Sequence, residues 1–379
     1  MNALFSLAAR SAWNRRFVLS LVVASISLST FLLLGIQRLR SDVHETFVQS
    51  ISGTDLIVGA RTGPVQLLLY SVFRIGGATN NVRWSSVQAI RAMKGVEWTV
   101  PISLGDTHRG FPVVATTADY FSRFRYADHQ PLALREGREF TNLFDAVIGA
   151  EVARRLDYKL GDRIVLSHGD GELEDNDHAD KPFTVVGILQ PTGTPVDQSV
   201  HIDLRAMEAL HVDWQAGTRI PDLATTPEQV AQRDLTPHSV TAVLLGLHDR
   251  AAVFSAQRAI ADYQAEPLMA VLPGLALDQL WDVVGIGERG LVAMSALIWL
   301  VSMAGLVAVI MAGLNERRRE LAILRAVGAG PWEVTVLLVT EGALVTLCGV
   351  VVGTLAVLVA TATLAPCCLL YTSPSPRDS

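Results

Sequence analysis

The 379-residue sequence is short of cysteine and of charge, and it lacks the phosphate-binding P-loop and the zincin and serine-hydrolase signatures. Its three cysteines, Cys348, Cys367 and Cys368, all lie near the C-terminus, so no disulfide framework holds the rest. Charged residues make up 18% of the chain against about 25% in soluble proteins, while apolar residues reach 50%. With a mean hydropathy of +0.34 this is the composition of a membrane protein. Thirty-one Lys and Arg against 37 Asp and Glu give a formal charge of −6, which leaves no basic excess for a nucleic-acid partner. No Gly-x4-Gly-Lys-Ser/Thr loop is present to cradle phosphates. His44-Glu45 lacks the second histidine of a zincin helix, and no Gly-x-Ser-x-Gly elbow occurs. The acidic loop 170–181 carries Asp175 where a calcium loop needs glycine and Lys181 where it needs glutamate. No catalytic site is expected, and the chain is not expected to be an enzyme.

The apolar residues are concentrated. Residues 17–36, 290–314 and 342–370 are each long enough to cross about 30 Å of hydrocarbon, the third helix starting near Val334. The expected organisation is a cytoplasmic N-terminus (1–16), a first span (17–36), a large mixed domain with helical stalks (37–289), a second span (290–314), a short link (315–333), a third span (334–366) and a tail (367–379). The first span is read as a retained anchor, not a cleaved signal, because its apolar core is long and Gln37, Arg38, Leu39 and Arg40 follow without a small-residue cleavage site. Arg10, Arg15 and Arg16 precede it, and Arg317, Arg318, Arg319 and Arg325 lie in the short link, which places both segments in the cytoplasm. Residues 1–36 contribute +3 and residues 290–379 contribute zero, so residues 37–289 hold −9 and all nine histidines. That domain is expected to be extracytoplasmic, on a bacterial inner membrane. The run after Pro366 abandons the Ala/Val/Leu style of the span and resembles a translated sequencing-library adapter. It is read as non-native, with a fourth span expected beyond residue 366.

Between the second and third spans lies Asn315 followed by Glu-Arg-Arg-Arg-Glu-Leu-Ala-Ile-Leu-Arg-Ala-Val-Gly-Ala over 316–329. As a helix it gathers Leu321, Leu324 and Val327 on one side and leaves Arg317, Arg318 and Arg325 to face elsewhere. Gly328 and Gly330 stop it, and Pro331 can open the next helix. Taken as an arbitrary basic loop, it would be a juxtamembrane segment whose arginines snorkel to headgroups.

The segment also resembles the signature of ABC-transporter permeases of the MacB/FtsX/LolC-LolE type. Residues 113–121, 136–140, 146–156, 159–164 and 183–189 are similar to that family's external core, and the resemblance covers nearly all of residues 1–366. It implies that Glu316, Arg317, Arg318, Arg319, Glu320, Leu321, Leu324, Arg325, Gly328 and Ala329 form a coupling helix that docks into a separate cytoplasmic ATPase. It further implies a second permease copy, ATP and Mg²⁺ held only by the partner, and motion that extracts or expels a substrate. An alternative within the family is a regulator of a periplasmic hydrolase, with a periplasmic partner. The fold class expected is an α-helical membrane protein of three spans, a fourth missing, with a large α+β domain between spans one and two.

Within that domain residues 183–189 read as a buried strand, 163–166 as a strand after the Gly161-Asp162 turn, and 145–156 as a helix spaced through Val147, Val152 and Leu156. Residues 41–50 continue the first span as a helical stalk. The apolar stretch 65–75 is either core or a contact surface. His168 and His178, with Asp177 and Asp180, offer imidazole and carboxylate ligands suited to zinc, against the reading of a solvated loop. Resemblance to permeases that accompany zinc-acquisition genes supports the zinc alternative, including a role in zinc uptake. In the membrane, Gly349 and Gly353 form a Gly-x3-Gly pattern for close helix packing, and Ala304, Ala308 and Ala312 a second small-residue face. Glu341 is either a functional intramembrane acid or an interfacial partner of a nearby arginine. Trp13, Trp281 and Trp332 fall near the expected membrane boundaries.

Overall fold

The computed structural model describes residues 16–168, 180–212, 214–215, 218–219, 227–230, 232–316, 322, 325–326, 328 and 330–364. The chain divides into two compact units, a helical one up to Val43 and from Val283, and a lobe over His44–Asp282.

The lobe is α+β. Its principal strands are β1 (Leu56–Ala60), β2 (Val96–Ser103), β3 (Asp106–His108), β4 (Phe111–Thr116), β5 (Asp145–Ile148), β6 (Arg163–Ile164), β7 (Ser167–His168), β8 (Phe183–Leu189), β9 (Val200–Asp203), β10 (Ala242–Leu247) and β11 (Leu268–Val271), and a further short strand, Leu134–Gly137, pairs with β8. The main sheet runs β6-β8-β5-β9-β4-β2-β10-β1-β11, with β3 pairing β4 and β7 pairing β3 beside it. Two neighbouring pairs, β5 with β8 and β4 with β9, are parallel. The flanking helices are α1 (Pro64–Ser71), α2 (Trp84–Arg91), α3 (Ala150–Leu156), α4 (Leu204–His211) and α5 (Val253–Ala261).

Both faces of this sheet are covered, which is why its central strands read as unbroken apolar runs. Successive residues alternate between two cores: Val113, Ala115, Ala146, Ile148, Val243 and Leu245 enter one, and Val114, Val147 and Leu244 the other. The helix expected over 145–156 is therefore corrected. Asp145–Ile148 is strand β5, and only Ala150–Leu156 is helical. Val147 and Val152 lie in opposite cores. Gly149 makes the break: a Cβ there would stand 2.3 Å from the Asp197 carbonyl oxygen. The strand expected over 163–166 also shortens to β6, because the Val165 carbonyl oxygen accepts from His108 Nδ1 at 2.6 Å instead of continuing the ladder. The apolar stretch 65–75 is largely core, with Leu67, Leu68, Tyr70, Val72 and Phe73 buried and Phe73 stacked 4.0 Å from Phe47.

Three long helices, Arg16–Gln49, Pro273–Glu316 and Pro331–Leu364, supply the helical unit with their parts up to Val43 and from Val283, and each has a stretch long and apolar enough to cross a membrane. The second is 44 residues, about 66 Å at ~1.5 Å per residue, and exceeds a bilayer core. The third opens at Pro331, ahead of the Val334 expected, since proline suits the first helical turn.

These helices meet through narrow stripes. Leu19, Val22, Ile26 and Ser29 are buried on the first, Ser295, Ser302 and Leu306 on the second, and Glu341, Val345 and Val357 on the third. Ser25 and Ser302 hydroxyls hydrogen-bond at 2.6 Å, and Ser29 Oγ donates to the Ser295 carbonyl oxygen at 3.3 Å. The expected alanine face does not make these contacts: Ala304 and Ala308 are exposed, the Ala312 side chain lies outside the described residues, and the serine and leucine stripe beside them makes the contacts. Trp281 packs 5.8 Å from Phe47 within the lobe, and Trp332 is 73% exposed.

Candidate functional site

Two places bear on function, the link between the second and third long helices and a histidine–carboxylate cluster in the lobe.

The link begins where Pro273–Glu316 ends and closes at Pro331. Gly328 adopts φ +103° and its N–H donates to the Arg325 carbonyl oxygen at 3.0 Å, a tight stop that glycine adopts without steric cost. Ala322, Arg325, Ala326 and Gly328 are exposed. Arg317, Arg318, Arg319, Glu320, Leu321, Leu324 and Ala329 lie outside the described residues, and Glu316 is the last residue of its helix. An exposed guanidinium at Arg325 is suited to carboxylates on a docking partner.

Behind the link, Gly349 and Gly353 face the first long helix. A Cβ on Gly349 would stand 2.7 Å from Ile26 Cγ2, and one on Gly353 2.6 Å from the Ser27 carbonyl oxygen. The Ser27 hydroxyl donates to the Gly349 carbonyl oxygen at 2.9 Å. Such close approach is what small residues allow between helices in lipid, where burial of apolar surface drives nothing. Glu341, further back on the same helix as Gly349, is 8% exposed.

In the lobe, His168 sits opposite Asp106 across the β7–β3 ladder, and its Nδ1 lies 2.9 Å from Asp106 Oδ1. His211, the last residue of α4, brings its Nε2 within 3.7 Å of the same oxygen. The hydrogen bond to Asp106 raises the pKa of His168 against a smaller opposing effect of burial. His178 and Asp177 lie outside the described residues. Sequence reading found His168 but missed Asp106 and His211, because neither lies near it in the chain and only the fold joins them. His108 is committed elsewhere, to the Val165 carbonyl and to the Tyr158 hydroxyl at 2.9 Å. His201 is fully buried beside Tyr120, and burial, aided by Arg74, pushes its pKa down to about 3, so it stays neutral.

Two family models match this chain, the MacB-like periplasmic core domain over residues 19–263 and the FtsX-like permease C-terminal segment over residues 292–376. Together they cover most of the sequence, and the chain belongs to the ABC permeases of the MacB/FtsX type. The lobe is accordingly an extracytoplasmic domain and the long helices are membrane spans. No curated protein matches the chain. Among solved structures, the periplasmic region of MacB from Actinobacillus actinomycetemcomitans is similar at 10% identity and a TM-score of 0.38, covering 62% of this chain and 95% of that one. The extracellular domain of the noncanonic ABC-type transporter YknZ from Gram-positive bacteria is similar at 12% identity and a TM-score of 0.34, covering 58% and 98%.

Proposed function

We propose that this permease subunit works by offering the 316–329 segment as a docking helix to a separate cytoplasmic ATPase, whose closure on nucleotide changes the packing of the spans and moves the extracytoplasmic lobe. The observation that carries the reading is the arginine-rich link itself, confined between two membrane-spanning helices and ended by the Gly328 stop. Its sequence, three consecutive arginines followed by an apolar stripe, combines charge for partner recognition with a ridge for a groove. The N-terminus and this link then face the cytoplasm, by their arginine content.

ATP binding drives such a change only if the ATPase favours one of two discrete arrangements of the permease. The contacts between spans suit that requirement. They are short-range packing at Gly349 and Gly353 and single serine hydrogen bonds, each worth little alone in lipid. A second copy of the chain would complete a pair of docking helices for a pair of ATPase subunits. The work done is extraction or expulsion of a substrate at the outer face, since the bulk of the non-membrane chain lies there.

Replacing Arg317, Arg318 and Arg319 together with alanine is expected to abolish permease-stimulated ATPase activity of the partner while membrane insertion is kept. Unchanged stimulation by the triple variant overturns docking at this segment.

A further inference from the structure

The cluster of Asp106, His168 and His211 has features that an ordinary surface ion pair lacks. Asp106 is fully buried at its side chain, and its Oδ2 has no hydrogen-bond partner among the described residues. Burying a carboxylate with one oxygen unsatisfied is costly unless a cation serves it. The two histidines approach Oδ1 from different elements, one from strand β7 and one from the end of α4, with rings at 76° to each other.

His211 Nδ1 lies 2.8 Å from the Met207 carbonyl oxygen, one helical turn back. A carbonyl only accepts, so Nδ1 carries a proton and Nε2, which points toward Asp106, is the nitrogen left to ligate a metal. Anchoring one ring nitrogen on a carbonyl so that the other can ligate is the arrangement usual for metal-binding histidines. The three ligand atoms all lie within 4.8 Å of one another. A tetrahedral zinc with bonds of ~2.0–2.1 Å holds its ligand atoms about 3.3 Å apart. The separations of 2.9 and 3.7 Å to Asp106 Oδ1 bracket that value. The C-terminal end of α4 adds a partial negative charge beside the cluster.

We infer that Asp106, His168 and His211 form a zinc-type divalent-metal site of two imidazoles and one carboxylate, with a fourth position left for water or another ligand, tying the β3–β7 pair to the end of α4. This set differs from the His168 and His178 pair that the sequence suggests, sharing only His168. It does not depend on ATPase docking.

The test uses the full chain in detergent, stripped with a chelator and then titrated with Zn²⁺ against a competing indicator, with Co²⁺ as a spectroscopic probe of geometry. Wild type is expected to retain about one zinc per chain and to give a tetrahedral Co²⁺ spectrum. Asp106→Asn and His211→Gln are each expected to weaken binding by ~100-fold or more, at or beyond the upper end of the range for outer-shell changes. His211→Gln alters a half-buried side chain, so it keeps the test decisive if Asp106→Asn fails to fold. Absence of zinc binding at micromolar concentration overturns the proposal, which would then leave a simple His–Asp ion pair. So does binding unchanged in both variants but lost in His178→Ala, which would assign the metal to the acidic loop.

Discussion

In the helical unit the residues turned outward are Leu297, Leu300, Val301, Leu355 and Leu358, all more than half exposed, and those turned inward include serines and glycines. In the lobe the order is reversed: Leu56, Val113, Ile148 and Leu244 are buried at 1% exposure or less. The two units follow one rule in two solvents. Where water is outside, apolar side chains leave it and dense packing follows; where lipid is outside, apolar side chains gain nothing by leaving it, and helices meet through small and polar residues. The lobe should therefore owe its stability to its core, and the spans should be held by contacts weak enough to rearrange.

The largest difference should appear on truncating leucines. Leu244→Ala, in the lobe core, is expected to destabilise by about 2–5 kcal/mol, while Leu355→Ala on the lipid-facing side is expected to cost almost nothing. Thermal unfolding of the full chain, followed separately for lobe and spans, measures both, and equal losses would break the comparison. Next in size is Gly353→Ala. The added methyl meets the Ser27 carbonyl oxygen, a backbone atom that cannot swing aside, so a loss of about 1–3 kcal/mol in span packing is expected. Disulfide trapping between cysteines placed on the first and third spans should fall accordingly.

A pH effect comes third and belongs to the lobe alone. His201 has a folded-state pKa of about 3 against 6.5 for the free side chain, the cause being burial. The unfolded chain then binds the extra proton between those values, so this contribution is fully kept above about pH 6.5 and is lost progressively as pH falls toward 3. The slope approaches ~1.4 kcal/mol per pH unit for one proton. His201→Gln should flatten it, as read from denaturant midpoints across that range. The smallest effect is expected for Ser302→Ala, which deletes the hydrogen bond to Ser25 at a cost near ~0.6 kcal/mol.

The same contrast explains what could be read from the sequence. Apolar runs of span length identify themselves, and the Phe183–Leu189 strand was legible because a β-branched run bounded by polar residues suits a doubly covered sheet. Asp145–Ile148 misled because Val147 reads with Val152 and Leu156 as one apolar series, although five residues turn a helix by about 140° and only Val152 and Leu156 share a face; Gly149 marks the break. In the spans, alanine looked like the packing residue, yet Ser302 and Ser295 mark the buried stripe; small size alone does not say which side of a helix is covered. The candidate metal cluster was least legible. His168 and Asp106 are 62 residues apart, and only the β3–β7 pairing brings them together.

The central claim, that a separate ATPase engages the link, is tested most directly by a photo-crosslinking residue at Ala322, which is exposed between the second and third spans. In native membranes holding the partner, the account predicts a crosslinked adduct with an ATPase subunit whose yield changes when nucleotide is added. Adducts with lipid alone, in every nucleotide condition, would contradict it.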